Sequence, residues 1–194
     1  MLRRLQREQA QITGGIDAEP ALRYAQPDWL YRAITAAWPD QAAAVLDALQ
    51  QRPPMTLRVD LGRITRGDYA GRLAQAGITA RPHPVVESAL VLDQALAVAR
   101  LPGFDEGLVS VQDAGAQLAA PYLDLAPGQH VLDACAAPGG KTLAMLQQSA
   151  GLTMTALDAD PQRLARVAEN LQRAGCHAEL IADDAGAPAQ PGWS

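Results

Sequence analysis

Apolar positions recur along this chain with two different periods, and the change between them marks out its parts. From residue 28 the segment WLYRAITAAW sets Trp29, Ile34 and Trp38 near helical spacing, Pro39-Asp40 interrupts it, and QAAAVLDALQ follows as a second helix. Arg52-Pro53-Pro54 closes that helical region. Upstream, residues 1–12 read as a short Arg/Gln-rich helix stopped by Thr13-Gly14-Gly15. Between residues 55 and 94 the pattern changes: TLRVDL alternates like a strand, Thr65 caps a helix running to Ala76 with Gly77 beyond it, and residues 90–92 form another strand, together a small α+β module. Leu101-Pro102-Gly103 is a turn, LVSV a strand candidate, and residues 113–125 a helix closed by Pro127-Gly128.

The rest is regular. Strand HVLDA, helix KTLAMLQQSA, strand LTMTALD, helix PQRLARVAENLQRA and strand AELIA follow one another with tight glycine stops, which predicts βαβαβ and a parallel sheet covered on both faces, with right-handed crossovers. In the second of these helices Asp160 is the expected N-cap, Pro161 the first-turn proline, Gly175 the stop, and Leu164, Ala168 and Leu171 the apolar face. Periodicity fades after Ala182, so the expectation is a three-strand half-sheet with one unpaired edge.

Composition narrows the classes. Of 194 residues 48% are hydrophobic and 4% aromatic, enough for a core packed mainly by aliphatic side chains. A formal net charge of −5 excludes a uniformly basic coat. Locally, however, residues 52–81 carry six arginines (52, 58, 63, 66, 72, 81) against Asp60 and Asp68. That excess reads either as an ordinary solvated surface or as a face tracking phosphates. Two cysteines and no long apolar run point to a soluble, reducing, cytoplasmic setting without a membrane span, and His83, His130 and His177 lack metal-ligand spacing, so no metal is expected.

The candidate chemistry sits where the first parallel strand meets its helix, in Asp133-Ala134-Cys135-Ala136-Ala137-Pro138-Gly139-Gly140-Lys141-Thr142. Free N–H groups at a helix start attract an anionic or carboxylate-bearing ligand, and paired glycines let it approach the main chain. Lys141 is the only lysine of the chain. A phosphate-binding P-loop would need glycine where Cys135 stands, and the G-x-G-x-x-G of dinucleotide folds is absent. A nucleoside-plus-amino-acid cofactor, S-adenosyl-L-methionine, fits best, because Asp158 ends the next strand where an acid can meet ribose hydroxyls. Asp183 and Asp184 end the third strand, where a carboxylate can reach an adenine or simply be solvated. Cys135 is expected as a small packed or loop residue rather than a nucleophile.

DACAAPGGKT resembles the first motif of the Sun/Fmu family of RNA cytosine-5 methyltransferases. QPDWL at 26–30, QRPPMTLRVD at 51–60, LPGFDEGLVSVQDAGAQ at 101–117 and LDADPQRLARVAENLQRAG at 157–175 resemble its bacterial members acting on small-subunit ribosomal RNA. The resemblance implies the first half of a Rossmann-like class I methyltransferase sheet (101–194), preceded by a helical and α+β RNA-binding module (26–100) and the tail of a helical NusB-like domain with its linker (1–25). It implies that Cys135, Ala136, Ala137, Pro138, Gly139, Gly140 and Lys141 cradle the methionine end of S-adenosyl-L-methionine, that Asp158 binds the ribose, and that Asp184 lies near the adenine. It further implies a monomer acting on small-subunit ribosomal RNA. The family's catalytic cysteines lie in a Pro-Cys and a Thr-Cys segment, one adding to carbon 6 of the base and the other assisting release. Neither segment occurs in these residues, so the expectation is a fragment, truncated at both ends, without catalytic residues and inactive alone. The competing expectation is a non-catalytic RNA-binding protein with a vestigial methyltransferase half; a P-loop nucleotidase comes third.

Overall fold

A computed structural model describes residues 8–9, 13–16 and 19–187 and divides the chain into two compact units, Met1–Pro53 and Pro54–Ser194. Most of the helix expected over residues 1–12 lies outside the described residues. Thr13-Gly14-Gly15 does not act as a stop: residues 13–16 are helical, and the Thr13 hydroxyl donates to the Gln9 carbonyl one turn back at 2.8 Å.

In the first unit α1 (Pro20–Arg23), α2 (Asp28–Ala37) and α3 (Ala42–Gln50) bury Ile34, Ala42 and Leu46 against Tyr24, Leu30, Tyr31 and Val45. Of the three large residues expected to share a face of α2, only Ile34 is buried; Trp29 and Trp38 are 70% and 54% exposed. Five residues of helix turn about 140°, which sets Trp29 away from Ile34. Trp38 sits at the C-cap, where the backbone has left the helix.

The second unit holds two sheets. The first comprises β1 (Thr56–Val59), β2 (Ala80–Pro82), β3 (Ala89–Leu92) and β4 (Val109–Val111), antiparallel in the order β2-β3-β1-β4, with α4 (Arg66–Gln75) connecting β1 to β2. Thr65 caps α4 by accepting the Asp68 N–H, so that cap was legible from sequence. Leu57, Val59, Tyr69, Leu73, Ile78, Leu90, Leu92, Leu101, Leu108 and Val109 form its core. TLRV was expected to alternate, yet all four residues of β1 are buried. The polar face of the strand is covered as well: the Arg58 guanidinium donates to the side-chain oxygens of Gln112 (2.6 Å) and of Gln147, which lies on a helix of the second sheet. LVSV is indeed a strand, but it pairs with β1 in this first sheet.

After β4 the single helix expected over 113–125 is instead a short α5 (Ala114–Gln117) and a 3₁₀ turn (Ala120–Leu123), divided before Pro121, whose ring prevents the helix from continuing. The second sheet comprises β5 (His130–Asp133), β6 (Thr153–Asp158) and β7 (Glu179–Ala182), parallel in that order, with α6 (Gly140–Gln148) and α7 (Pro161–Ala174) as crossovers. This is the parallel βαβαβ half expected from the alternation, and the Rossmann-like half that the resemblance implies. Asp160 caps α7 by accepting the N–H groups of Gln162 and Arg163, and Gly175 ends it at φ +68°. Its buried stripe is Leu164, Val167, Leu171 and Ala174; Ala168, expected on that face, is exposed. Among the described residues no helix is long and apolar enough to cross a membrane.

Candidate functional site

The sequence-predicted loop lies at the carboxyl end of β5, in the crevice where open α/β sheets take their ligands. Its main chain is fastened on nearly every side. Ala136 N–H donates to the Leu157 carbonyl of β6 (3.0 Å), and Gly139 N–H closes a turn onto the Ala136 carbonyl (2.6 Å) across a cis Ala137–Pro138 peptide. Gly139 is the N-cap of α6 at φ +94°, a conformation that favours glycine, and a Cβ there would stand 3.1 Å from Val167 Cγ1. Beyond it the first N–H groups of α6, starting at Gly140 and Lys141, have no intrahelical acceptor and carry the positive end of the helix dipole. Lys141 and Cys135 are exposed, so Cys135 is a loop residue and not a packed one. Thr142 is fully buried, and its hydroxyl donates to the Asp133 carboxylate at 2.7 Å, pinning the start of α6 to the end of β5.

Asp158, at the end of β6, is 4% exposed. One carboxylate oxygen accepts the Ala137 N–H and the other the Asp160 N–H, each at 3.1 Å, and Arg163 lies 3.7 Å away. The Asp160 N–H, then the Ala137 N–H and the Arg163 charge, hold this carboxyl below its ordinary range against the opposing effect of burial. Asp158 is therefore tied to the loop across the sheet, a bond between residues 21 apart that spacing alone does not announce. At the end of β7 Asp184 is exposed and accepts the Gly186 N–H at 2.8 Å, while Asp183 N–H donates to the Asp158 carbonyl. The ends of β5, β6 and β7 thus bring Cys135, Ala136, Ala137, Pro138, Gly139, Gly140, Lys141, Asp158 and Asp184 to one rim.

Sequence reasoning passed over Arg163 and Asn170. From α7 they donate to the Ala137 carbonyl (3.2 Å) and the Pro138 carbonyl (2.9 Å). The available signal was their spacing around Val167, at 163, 167 and 170, one face of a helix.

The arginine-rich segment is not one surface. Arg58 is 6% exposed; desolvation lowers its pKa to about 10, with Asp60 opposing and Arg173 adding to the effect. Arg63 donates to the Glu106 carbonyl, and Arg66 to the carbonyls of His83 and Val86. Arg52, Arg72 and Arg81 are exposed. Of the six, Arg58 is thus buried and Arg66 half-buried, while Arg63 stays exposed beside the carbonyl it meets.

Two segments of the chain match known families. Residues 26–99 match the RsmF/B-like methyltransferase ferredoxin-like domain, and residues 120–191 match the 16S rRNA methyltransferase RsmB/F. Ribosomal RNA small subunit methyltransferase B of Pseudomonas putida is 50% identical over 186 residues, covering 95% of this chain and 43% of that protein. This chain accordingly spans less than half the length of that relative. Among solved structures, the protein PH0851 superposes with a TM-score of 0.76 at 24% identity, over 84% of this chain and 38% of its own, a likeness of fold. A methyltransferase homolog protein from Pyrococcus horikoshii superposes with a TM-score of 0.73 at 27% identity, over 84% of this chain and 55% of its own.

Proposed function

We propose that the chain is part of a 16S rRNA methyltransferase of the RsmB/F family, and on that premise that it carries the cofactor loop and RNA-binding module of an S-adenosyl-L-methionine-dependent enzyme methylating carbon 5 of a cytosine in small-subunit ribosomal RNA. The observation that supports this best is the bond from Ala137 N–H to the Asp158 carboxylate, which joins the glycine loop and the end of the neighbouring strand into one lip. On this reading residues 135–141 receive the amino-acid end of the cofactor, whose carboxylate meets the N–H groups opening α6. Asp158 receives the ribose hydroxyls with the acceptor capacity left beyond its two backbone bonds, and Asp184 lies beside the adenine. The cofactor supplies the electrophilic methyl group. The chain's own residues bind and orient it.

The same proposal takes residues 1–25 as the end of a helical domain with its linker, 26–100 as the RNA-binding module and 101–194 as the methyltransferase half, in a cytoplasmic monomer that needs no metal. Its two cysteines follow Ala134 and Gly175, so neither stands in a Pro-Cys or Thr-Cys segment. No thiolate is then assigned to attack the base, and on this reading these 194 residues alone do not turn over.

Calorimetric titration of the chain with S-adenosyl-L-methionine and with ATP tests the reading. Preference for the methionine cofactor, weakened by Asp158→Ala, is expected; tighter ATP binding overturns it. Tritium transfer to unmodified small-subunit ribosomal RNA is expected to stay at background, and turnover abolished by Cys135→Ser would show that Cys135 had been misassigned.

A further inference from the structure

The polar groups of the turn from Ala136 to Gly139 have an unequal distribution. Its N–H groups are bound within the sheet side of the site: Ala136 to the Leu157 carbonyl, Ala137 to the Asp158 carboxylate, Gly139 to the Ala136 carbonyl. The carbonyls of Ala137 and Pro138 are instead drawn to α7, by Arg163 and Asn170. Between these two donors Val167 presses on Gly139, its Cα 3.3 Å and its Cγ1 3.1 Å from where a Cβ would stand. Residues 163, 167 and 170 thus form a grip along one edge of the helix, while Leu164, Leu171 and Ala174 beside it serve the core.

Asn170 has the most consequence within that grip. The Pro138–Gly139 peptide plane is held at one end by Gly139 N–H on Ala136 and at the other by the Pro138 carbonyl on Asn170. Rotating that plane would exchange the sides to which its carbonyl and its N–H point. Gly139, at φ +94°, can follow such a rotation more easily than any other residue type, so the side chain holding the carbonyl decides the orientation. A carbonyl turned to the ligand side would set partial negative charge against a carboxylate, at the place where the helix start offers positive charge.

We propose that Asn170, assisted by Arg163, is a positioning residue that holds the loop carbonyls on the α7 side, so that the carboxylate end of the cofactor meets the N–H groups opening α6 and no opposing carbonyl. This rests on the cofactor reading above, and the experiment separates the two. S-adenosyl-L-homocysteine is titrated into the 194-residue chain and into Asn170→Ala, Asn170→Asp and Asn170→Gln. Amide hydrogen exchange of the ligand-free proteins is followed at Gly139 and across β6. Asn170→Asp keeps the size of the side chain and removes the donor; Asn170→Gln keeps the donor. The expected result is a five- to tenfold loss of affinity, on the order expected for one hydrogen bond, in the Ala and Asp variants. Gly139 exchange should quicken in both while β6 is unchanged, and Asn170→Gln should recover much of the binding. Unchanged affinity, or a loss equal in all three variants and accompanied by faster exchange throughout β6, overturns the positioning role. Absence of binding by the unmodified chain overturns the cofactor reading and with it the role in presenting N–H groups. In that event Gly139 exchange still shows whether Asn170 holds the turn.

Discussion

Replacing Gly139 by alanine adds one methyl group at a position that resists it for two separable reasons. The backbone sits at φ +94°, where an L side chain costs about 1–2 kcal/mol. The new Cβ would also stand 3.1 Å from Val167 Cγ1 and 3.3 Å from its Cα, and the latter belongs to a helix backbone that cannot withdraw as a side chain can. Overpacking of this kind costs about 1–3 kcal/mol, so Gly139→Ala should destabilise by about 2–5 kcal/mol in all. Gly77 supplies the control, since it adopts φ +71° with nothing within 4 Å of its would-be Cβ. Gly77→Ala therefore reports the backbone term alone, about 1–2 kcal/mol. Urea unfolding followed by far-ultraviolet circular dichroism gives both values, with slopes compared to confirm like transitions. Combining Gly139→Ala with Val167→Ala removes the Cγ1 contact, and the pair should be less destabilising than the sum of its parts by about 1 kcal/mol. A Gly139→Ala variant no less stable than Gly77→Ala, or strict additivity with Val167→Ala, would refute the claim that α7 bears on the loop.

Tyr69 is fully buried with no partner for its hydroxyl among the described residues, and burial pushes its pKa up to about 12; Tyr69→Phe should raise stability by about 1 kcal/mol in the same urea experiment. Arg58→Ala leaves the amide oxygens of Gln112 and Gln147 without their donor and should cost about 1–3 kcal/mol while leaving the salt dependence of RNA binding untouched. Replacing the exposed Arg52, Arg72 and Arg81 together should instead flatten the slope of log affinity against log salt by about 2 if each meets one phosphate, and an unchanged slope returns them to ordinary solvated surface. The depressed pKa of Asp158 means that its ionised form stabilises the fold above its ordinary value of 3.8, a contribution lost as pH falls through the lower folded value. The melting-temperature gap between the unmodified chain and Asp158→Asn should therefore be full at about pH 6 and shrink by about pH 3; a constant gap would show that the carboxylate charge contributes nothing.

What the chain's order of residues determined by itself was everything that depends on the backbone's local needs. Thr65 and Asp160 supply oxygens to helix N–H groups that have no other acceptor, Gly175 takes the positive φ that ends α7, and the βαβαβ rhythm places a glycine loop after the first strand and Asp158 after the second. Each of those requirements is met within about four residues, so each can be read in line. Tertiary structure alone decided which long-range partner arrives. Arg58 looks like a surface cation until Gln147, 89 residues later, covers it. LVSV looks like the opening of the second sheet until its register with β1 claims it for the first. The apolar stripe of α7 could pass through Ala168 or Val167, and the packing of Gly139 and the sheet selects Val167. Asp158, legible as an acid at a strand end, becomes a brace for the loop only because parallel pairing of β5 and β6 brings Ala137 N–H within 3.1 Å of it. Hydrogen-bond partners that distant are set by packing geometry, to which local spacing gives no access.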